Sequence, residues 1–306
     1  RLSDTDISNL VDKLSERKRL GRFTKYPKAA IYHFKKVDGR LFEGMARIEG
    51  GTGFISRVRR EYTKEITSEP LRQAFALVAI SHSLGYHLPL GVTSVACGIS
   101  PSVLFQEISN GQLRKMIYAE PKGLRTRHRI FASMLVEHAL DQLDRFNLTL
   151  SLMKSLAPYM NPQTIRKQTL AYLVVRRLMD EDVVRQHVGR DQVTKWYESL
   201  EDTYEWDARF WEQRALAELN LEAYGKARSY AEEAVKIQRH PFTLNTLGTV
   251  LVRTAIDNYP ADAGEAYEAF FEGAGYLREA RDSILWRNKY PYTTFFSYAL
   301  RFVQKN

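Results

Sequence analysis

With 306 residues, 44% of them hydrophobic, the chain carries enough apolar side chain to bury a sizeable core in roughly two or three domains. No apolar run reaches the roughly twenty residues needed to cross a bilayer, and the N-terminus lacks the basic-then-apolar pattern of a secretory signal, so a cytoplasmic address is expected. The single cysteine, Cys97, excludes an internal disulfide and a cysteine-based zinc site, and a net charge of +9 suits acidic proteins, nucleic acid or the phosphates of a nucleotide.

Much of the positive excess lies before Thr67, in runs such as Arg17-Lys18-Arg19 and Arg57, Arg59 and Arg60, which read as solvated helix faces. The first residue is Arg1 and an amphipathic segment begins almost at once, so further protein is expected upstream. Ser3, Asp4, Thr5 and Asp6 supply caps for a helix whose apolar stripe is Ile7, Leu10, Val11 and Leu14, ended by Gly21. A helical stretch from Pro27 to His33 follows, then a break at Asp38-Gly39. Helices over 41–48 and 54–66, separated by a turn at Gly50-Gly51-Thr52-Gly53, complete a small helical bundle over residues 1–66.

Pro70 opens a second pattern. Leu71, Phe75, Leu77, Val78 and Ile80 give an apolar helix ending near Gly85, a short helix fits 90–97, and Ser100-Pro101 caps and opens a third through Val103, Leu104 and Ile108. That order resembles a helix-turn-helix. Residues 115–119 read as a strand, Pro121-Lys122-Gly123 as a turn and 124–127 as the returning strand of a wing. A long helix with Ile130, Met134, Leu135 and Ala139 on its buried side closes a winged-helix domain over 67–143.

From 144 to 306 the pattern is helical, punctuated by Pro158, Pro162, Pro241, Pro260 and Pro291. Trp211, Ala215, Tyr224, Ala227 and Ala234 follow the large-small order of a tetratricopeptide repeat, in which small residues sit where paired helices touch. Leu247-Gly248 falls about one period of roughly 34 residues later, and an insertion around 257–264 stretches the second repeat. Ordinary helical hairpins would show a similar order. The predicted fold is mainly α: a helical lid bundle, a winged helix with a small β-hairpin, then a sensor domain of tetratricopeptide-like repeats.

No Gly-x-x-x-x-Gly-Lys-Ser/Thr loop, His-Glu-x-x-His helix, nucleophile elbow or paired-carboxylate pattern stands out, so no catalytic residue and no metal ligand is assigned. Asp180, Glu181 and Asp182 read as a solvated helix end, and His82 and His87, on either side of Gly85, as structural residues. His128 differs. It lies where the wing's second strand meets the N-terminus of the last helix, beside Arg125 and Arg127, and a helix N-terminus with two guanidiniums suits a phosphate.

Leu2-Ser3, Ile7, Leu10-Val11, Leu14 and Leu20-Gly21-Arg22-Phe23, then Gly51-Thr52-Gly53-Phe54-Ile55, then Leu124-Arg125-Thr126-Arg127-His128-Arg129-Ile130 stand in an order that resembles the region after the nucleotide-binding core of STAND-class P-loop NTPases. That group includes apoptotic protease activators, innate immune receptors and bacterial antiviral sensors. The resemblance covers residues 1–143, and the repeats match the family's sensor architecture. It implies that lid and winged helix close over ADP or ATP, with Mg supplied through an upstream NTPase core. His128 would meet the β-phosphate beside Arg125 and Arg127, and Gly53 and Phe54 would lie near the adenine. Arg127 and Arg129 flank the histidine where eukaryotic members read Met-His-Asp, which makes the bacterial branch the nearer comparison.

The function so implied is a cytoplasmic signalling switch. The repeats recognise a protein ligand, viral in bacterial relatives, and recognition releases self-association in antiviral defence; ATPase and effector chemistry belong to the full-length protein. The alternative is a transcription regulator whose winged helix reads DNA and whose repeats bind a partner. The third helix offers such a regulator Ser102, Gln106 and Glu107, and no cation before Arg114.

Overall fold

The structure, a computed structural model, describes residues 2–17, 20, 23–36, 44, 52–260, 264–282 and 290–305. Among them the protein is mainly α-helical, with one two-stranded β-hairpin. Two compact units divide it, Arg1–Val174 and Val175–Asn306. Apart from Gly44, the predicted helix over 41–48 lies outside the described residues, as do the break at Asp38-Gly39 and the stop at Gly21.

Unit 1 begins with α1 (Asp4–Glu16) and α2 (Pro27–Lys35). The cap of α1 is reciprocal: Ser3 Oγ accepts the Asp6 amide at 3.2 Å and Asp6 Oδ2 accepts the Ser3 amide at 3.1 Å. Ile7, Val11 and Leu14 of its stripe are buried against Ala30 and Phe34 of α2. Part of the glycine-rich turn expected next is helix instead, because Thr52, Gly53 and Phe54 form the first turn of α3 (Thr52–Arg60), which runs on into a π-helical turn, Glu61–Glu65. One glycine costs a helix about 1 kcal/mol against alanine. Burial of Val58, Tyr62 and Ile66 along this stretch outweighs that cost.

The centre of unit 1 is α4 (Glu69–Ser83), in which every residue from Ala74 to Ile80 is 0% exposed. Such a helix needs neighbours on all sides. They are α5 (Leu90–Cys97), α7 (Arg129–His138), α8 (Gln142–Leu156) and the hairpin. Between α5 and α7 come α6 (Pro101–Ser109), whose Ser100 cap accepts the Val103 amide at 3.4 Å, then β1 (Ile117–Glu120) and β2 (Gly123–Thr126).

The strands pair antiparallel, Ile117 opposite Thr126 and Glu120 opposite Gly123. Leu88, in the link from α4 to α5, exchanges backbone hydrogen bonds of 2.9 and 2.7 Å with Leu124, adding a bridge to the second strand. Gly123 is required on two grounds: its φ is +121°, and a Cβ there would lie 2.9 Å from the Leu88 oxygen. Three helices, a wing and a closing helix are the winged-helix arrangement expected of this stretch. The expected boundary at 143/144 falls in the first turn of α8, inside unit 1.

After α9 (Pro162–Arg166) and α10 (Leu170–Leu178), unit 2 continues with α11 (Glu181–Val188), α12 (Val193–Glu198) and α13 (Glu201–Tyr204). The acidic trio is not the solvated helix end expected of it. Asp180 is bound by Arg177, at 2.6 Å, and by Arg209, and Glu181 is 8% exposed and takes Arg185 at 2.8 Å. Only Asp182 is exposed. Arginines supplied by other turns convert a charge run into a partly buried ion-pair cluster.

The repeats follow as α14 (Ala208–Asn220), α15 (Tyr224–Ile237), α16 (Pro241–Asp257), α17 (Gly264–Asp282) and α18 (Tyr290–Lys305). Ala215, Ala227, Ala231 and Ala234 are 0% exposed where α14 and α15 pair. Between α16 and α17 the approach is closer. A Cβ on Gly248 would lie 2.9 Å from the Gly273 oxygen, and one on Gly273 would lie 2.9 Å from the Gly248 oxygen. The expected insertion falls between these two helices.

Candidate functional site

His128 is the N-cap of α7, extended at φ −157° and ψ 142°, and its Nδ1 accepts the Ile130 amide at 3.1 Å. That bond fixes the tautomer. A neutral ring with Nδ1 as acceptor carries its proton on Nε2, which makes Nε2–H the donor with which it would meet an oxyanion.

Two further residues hold this cap in place. The hydroxyl of Thr126, the fully buried last residue of β2, donates to the His128 carbonyl at 3.0 Å and lies 2.7 Å from His82 Nδ1. Since the hydroxyl proton goes to the carbonyl, His82 Nδ1–H must be the donor to Thr126, and His82 is neutral with Nε2 as its acceptor. Burial pushes the His82 pKa down to about 4, and the charges of Arg125, His87, Arg129 and His128 push it the same way. Arg129, the first residue of α7, reaches back to the end of α4, where its Nε donates to the Ser83 carbonyl at 2.9 Å. Its guanidinium packs beside Gly85, whose φ of +96° turns the chain out of α4.

The two predicted arginines flank His128 with carboxylates already on them. Arg125 Nε donates to Glu120 Oε1 at 2.6 Å, and the guanidinium lies 5.3 Å from the Tyr118 ring centre. That bond, with a second from His87 Nε2 at 3.2 Å, holds the Glu120 carboxyl below its ordinary range. Arg127 Nη2 donates to Glu61 Oε2 at 2.5 Å and stacks 4.1 Å over the Phe131 ring. Three guanidiniums, those of Arg125, Arg127 and Arg129, therefore face two carboxylates, those of Glu120 and Glu61. The balance at this corner is positive before any imidazole takes a proton.

Gly53 and Phe54 lie in the first turn of α3, which packs along α7, the helix that His128 caps. Sequence reasoning missed Glu61, gave Thr126 and Arg129 no role at the site, and read His82 as merely structural. His82 and His87 have ring centres 6.3 Å apart, and among the described residues no group of three or more His, Cys, Asp or Glu side chains could hold a metal. Burial pushes the Cys97 thiol up to about 12, which leaves it protonated at neutral pH. Among the described residues no helix is long and apolar enough to cross a membrane. No family model, curated protein or solved structure matches the chain.

Proposed function

We propose that this chain is the lid, winged-helix and sensor region of a STAND-class signalling ATPase, and that it holds the diphosphate of ADP against the N-terminus of α7 while the full-length protein is closed. The reading is supported above all by the convergence of positive groups on one helix end: His128 as cap, with Arg125 and Arg129 beside it, whose charges add to the effect of burial in keeping the neighbouring His82 neutral. A helix N-terminus adds partial positive charge and amide donors at the same place. ATP, Mg and hydrolysis belong to an upstream NTPase core.

In this reading the repeats of unit 2 take a protein ligand, viral in the antiviral case, and the nucleotide-bound closed form gives way to one that self-associates. The ligand must bind the open form more tightly, since equal affinity shifts nothing. The DNA-reading alternative is disfavoured by α6. Its exposed residues are Pro101, Ser102, Val103, Phe105 and Gln106, none of them a cation for phosphates.

The capping role and the nucleotide role of His128 separate in one pair of variants of the full-length protein. Asparagine can cap a helix as histidine does here but lacks the ring Nε2–H. His128→Asn is expected to leave the melting temperature unmoved and to lower the ADP carried through purification about tenfold, measured by ion-exchange chromatography of the released nucleotide. His128→Ala loses cap and nucleotide together. Full ADP content in both variants overturns the assignment.

A further inference from the structure

The repeat helices of unit 2 follow one packing order, and the last of them leaves that order incomplete. Helix α14 pairs with α15 and α16 with α17, while α16 also rests on α14 and α15. In the same way α18 rests on α16 and α17, with the Phe302 ring stacked 4.2 Å from that of Phe270 and set edge-on to that of Tyr267. It stands as the first helix of a third pair, and among the described residues no second helix completes the pair. The uncovered face is apolar. Tyr292, Phe296, Leu300 and Val303 recur at three- and four-residue spacing and so form a single stripe, from 46% exposed at Tyr292 to 74% at Val303. The end of a repeat array turns a polar face to water, and a continuous apolar one marks a surface that another protein element covers.

Beside the stripe lies a groove of about 580 Å³ between α17 and α18, walled by Leu277, Tyr292, Phe295 and Phe296 and flanked by Arg278 and Arg281. Arg281 is already engaged: its Nε donates to Asp282 Oδ1 at 2.6 Å, and its guanidinium lies 5.8 Å from the Tyr292 ring centre. Arg278 is exposed and has no ion pair among the described residues. None of the described residues that line the groove is acidic, and α18 itself carries Arg301 and Lys305 but no carboxylate. A second copy of the chain laid on this face would bring cations to cations, whereas a partner with a carboxylate near Arg278 gains a charge-assisted hydrogen bond. The length of the stripe favours a helix over a small organic acid. From Tyr292 to Val303 it runs about 16 Å, and Leu300 and Val303 lie outside the groove, where a small ligand would leave them bare.

We infer that this face of α18 and the groove beside it dock an acidic amphipathic helix of a partner protein, with apolar anchors one turn apart on Phe296 and Leu300 and a carboxylate at Arg278. The inference rests on the reading of unit 2 as the half that takes a protein ligand, and adds its surface and its chemistry. The probe is a fluorescent, end-capped helical peptide of about fourteen residues, long enough to cover the stripe. It carries leucines at three- and four-residue spacing and glutamates in its first turn, and is titrated into the whole chain by fluorescence anisotropy. One saturable site is expected, about tenfold weaker for the same peptide with lysines in place of the glutamates. Phe296→Ala weakens both peptides about tenfold, and Arg278→Gln weakens the acidic peptide alone, about fivefold. Both positions are exposed, so the fold is kept. Phe242→Ala, at an exposed ring on α16, changes nothing. The absence of saturable binding, equal affinity for the two peptides, or displacement of the peptide by octanoate at equal concentration overturns the assignment. So does a dimer in sedimentation velocity that Phe296→Ala dissolves, since the face then belongs to a second copy. Peptide binding that leaves self-association of the full-length protein unchanged keeps the docking face and removes the switch, whereas loss of the face leaves the ADP content of the His128 variants as it was.

Discussion

The repeats of unit 2 and the basic corner of unit 1 are held together by opposite means. In the repeats, α16 and α17 approach until backbone meets backbone, Gly248 and Gly273 each standing where a Cβ would lie 2.9 Å from the other's oxygen. Around His128, the helix end, the strand and the end of α4 are joined by directed hydrogen bonds through Thr126, His82 and Arg129. Close packing resists change in size, and a hydrogen-bonded corner resists change in charge. The first kind of contact suits a rigid surface for a partner; the second can respond to an ion or a proton.

The contrast breaks most sharply at Gly248. Gly248→Leu drives side-chain atoms into the Gly273 backbone, which cannot swing aside, and is expected to destabilise unit 2 by about 3 kcal/mol or more. Gly275, two residues beyond Gly273 on α17, has nothing within 4 Å of its Cβ position, so Gly275→Ala is expected to gain about 0.5–1 kcal/mol of helix propensity instead. Urea unfolding followed by far-UV circular dichroism measures both. If Gly248→Leu is neutral, the two helices are not held by backbone proximity.

At the corner, the substitution of largest expected effect is Arg127→Ala. It leaves the Glu61 carboxylate, only 10% exposed, without its cation and strips the guanidinium from the Phe131 face. A loss of about 2–3 kcal/mol follows. Double substitution with Glu61→Gln should restore part of it, because the stranded charge is then gone. Additive losses in urea melts of the four-member cycle would show that the pair does not couple.

These two regions were unequally legible in the sequence. The helices of both units announce themselves through apolar spacing, serine and aspartate caps, and prolines at first turns, so α1, α5 and α6 stand close to where the residues put them. The alanines of α14 and α15 and the Leu247-Gly248 pair carry the repeat packing in their small size. His128 was legible because a strand followed by a helix start is a local pattern. What the sequence hides is the partner. Arg127 reads as a free cation until the π-helical turn brings Glu61 to it across 66 residues, and Asp180 reads as solvated until Arg209 arrives from 29 residues away.

The smallest effect is a pH dependence that arises where burial, and then the charges of the corner, keep one ring neutral. His82 is neutral in the folded protein down to about pH 4, while in the unfolded chain it takes a proton near its ordinary 6.5. Between those values the unfolded state binds the extra proton, so stability rises with pH through this window. The contribution is fully present above 6.5 and is lost as pH falls toward 4. With the side chain only partly buried, about 2 kcal/mol is expected to disappear across the window. Asn keeps an N–H placed to donate to Thr126 Oγ1 and cannot titrate, so His82→Asn should flatten this part of the profile with little loss at pH 7. Chemical melts at half-unit steps from pH 4 to 7 measure the slope, and an unchanged slope in the variant would mean that another group carries the acid sensitivity.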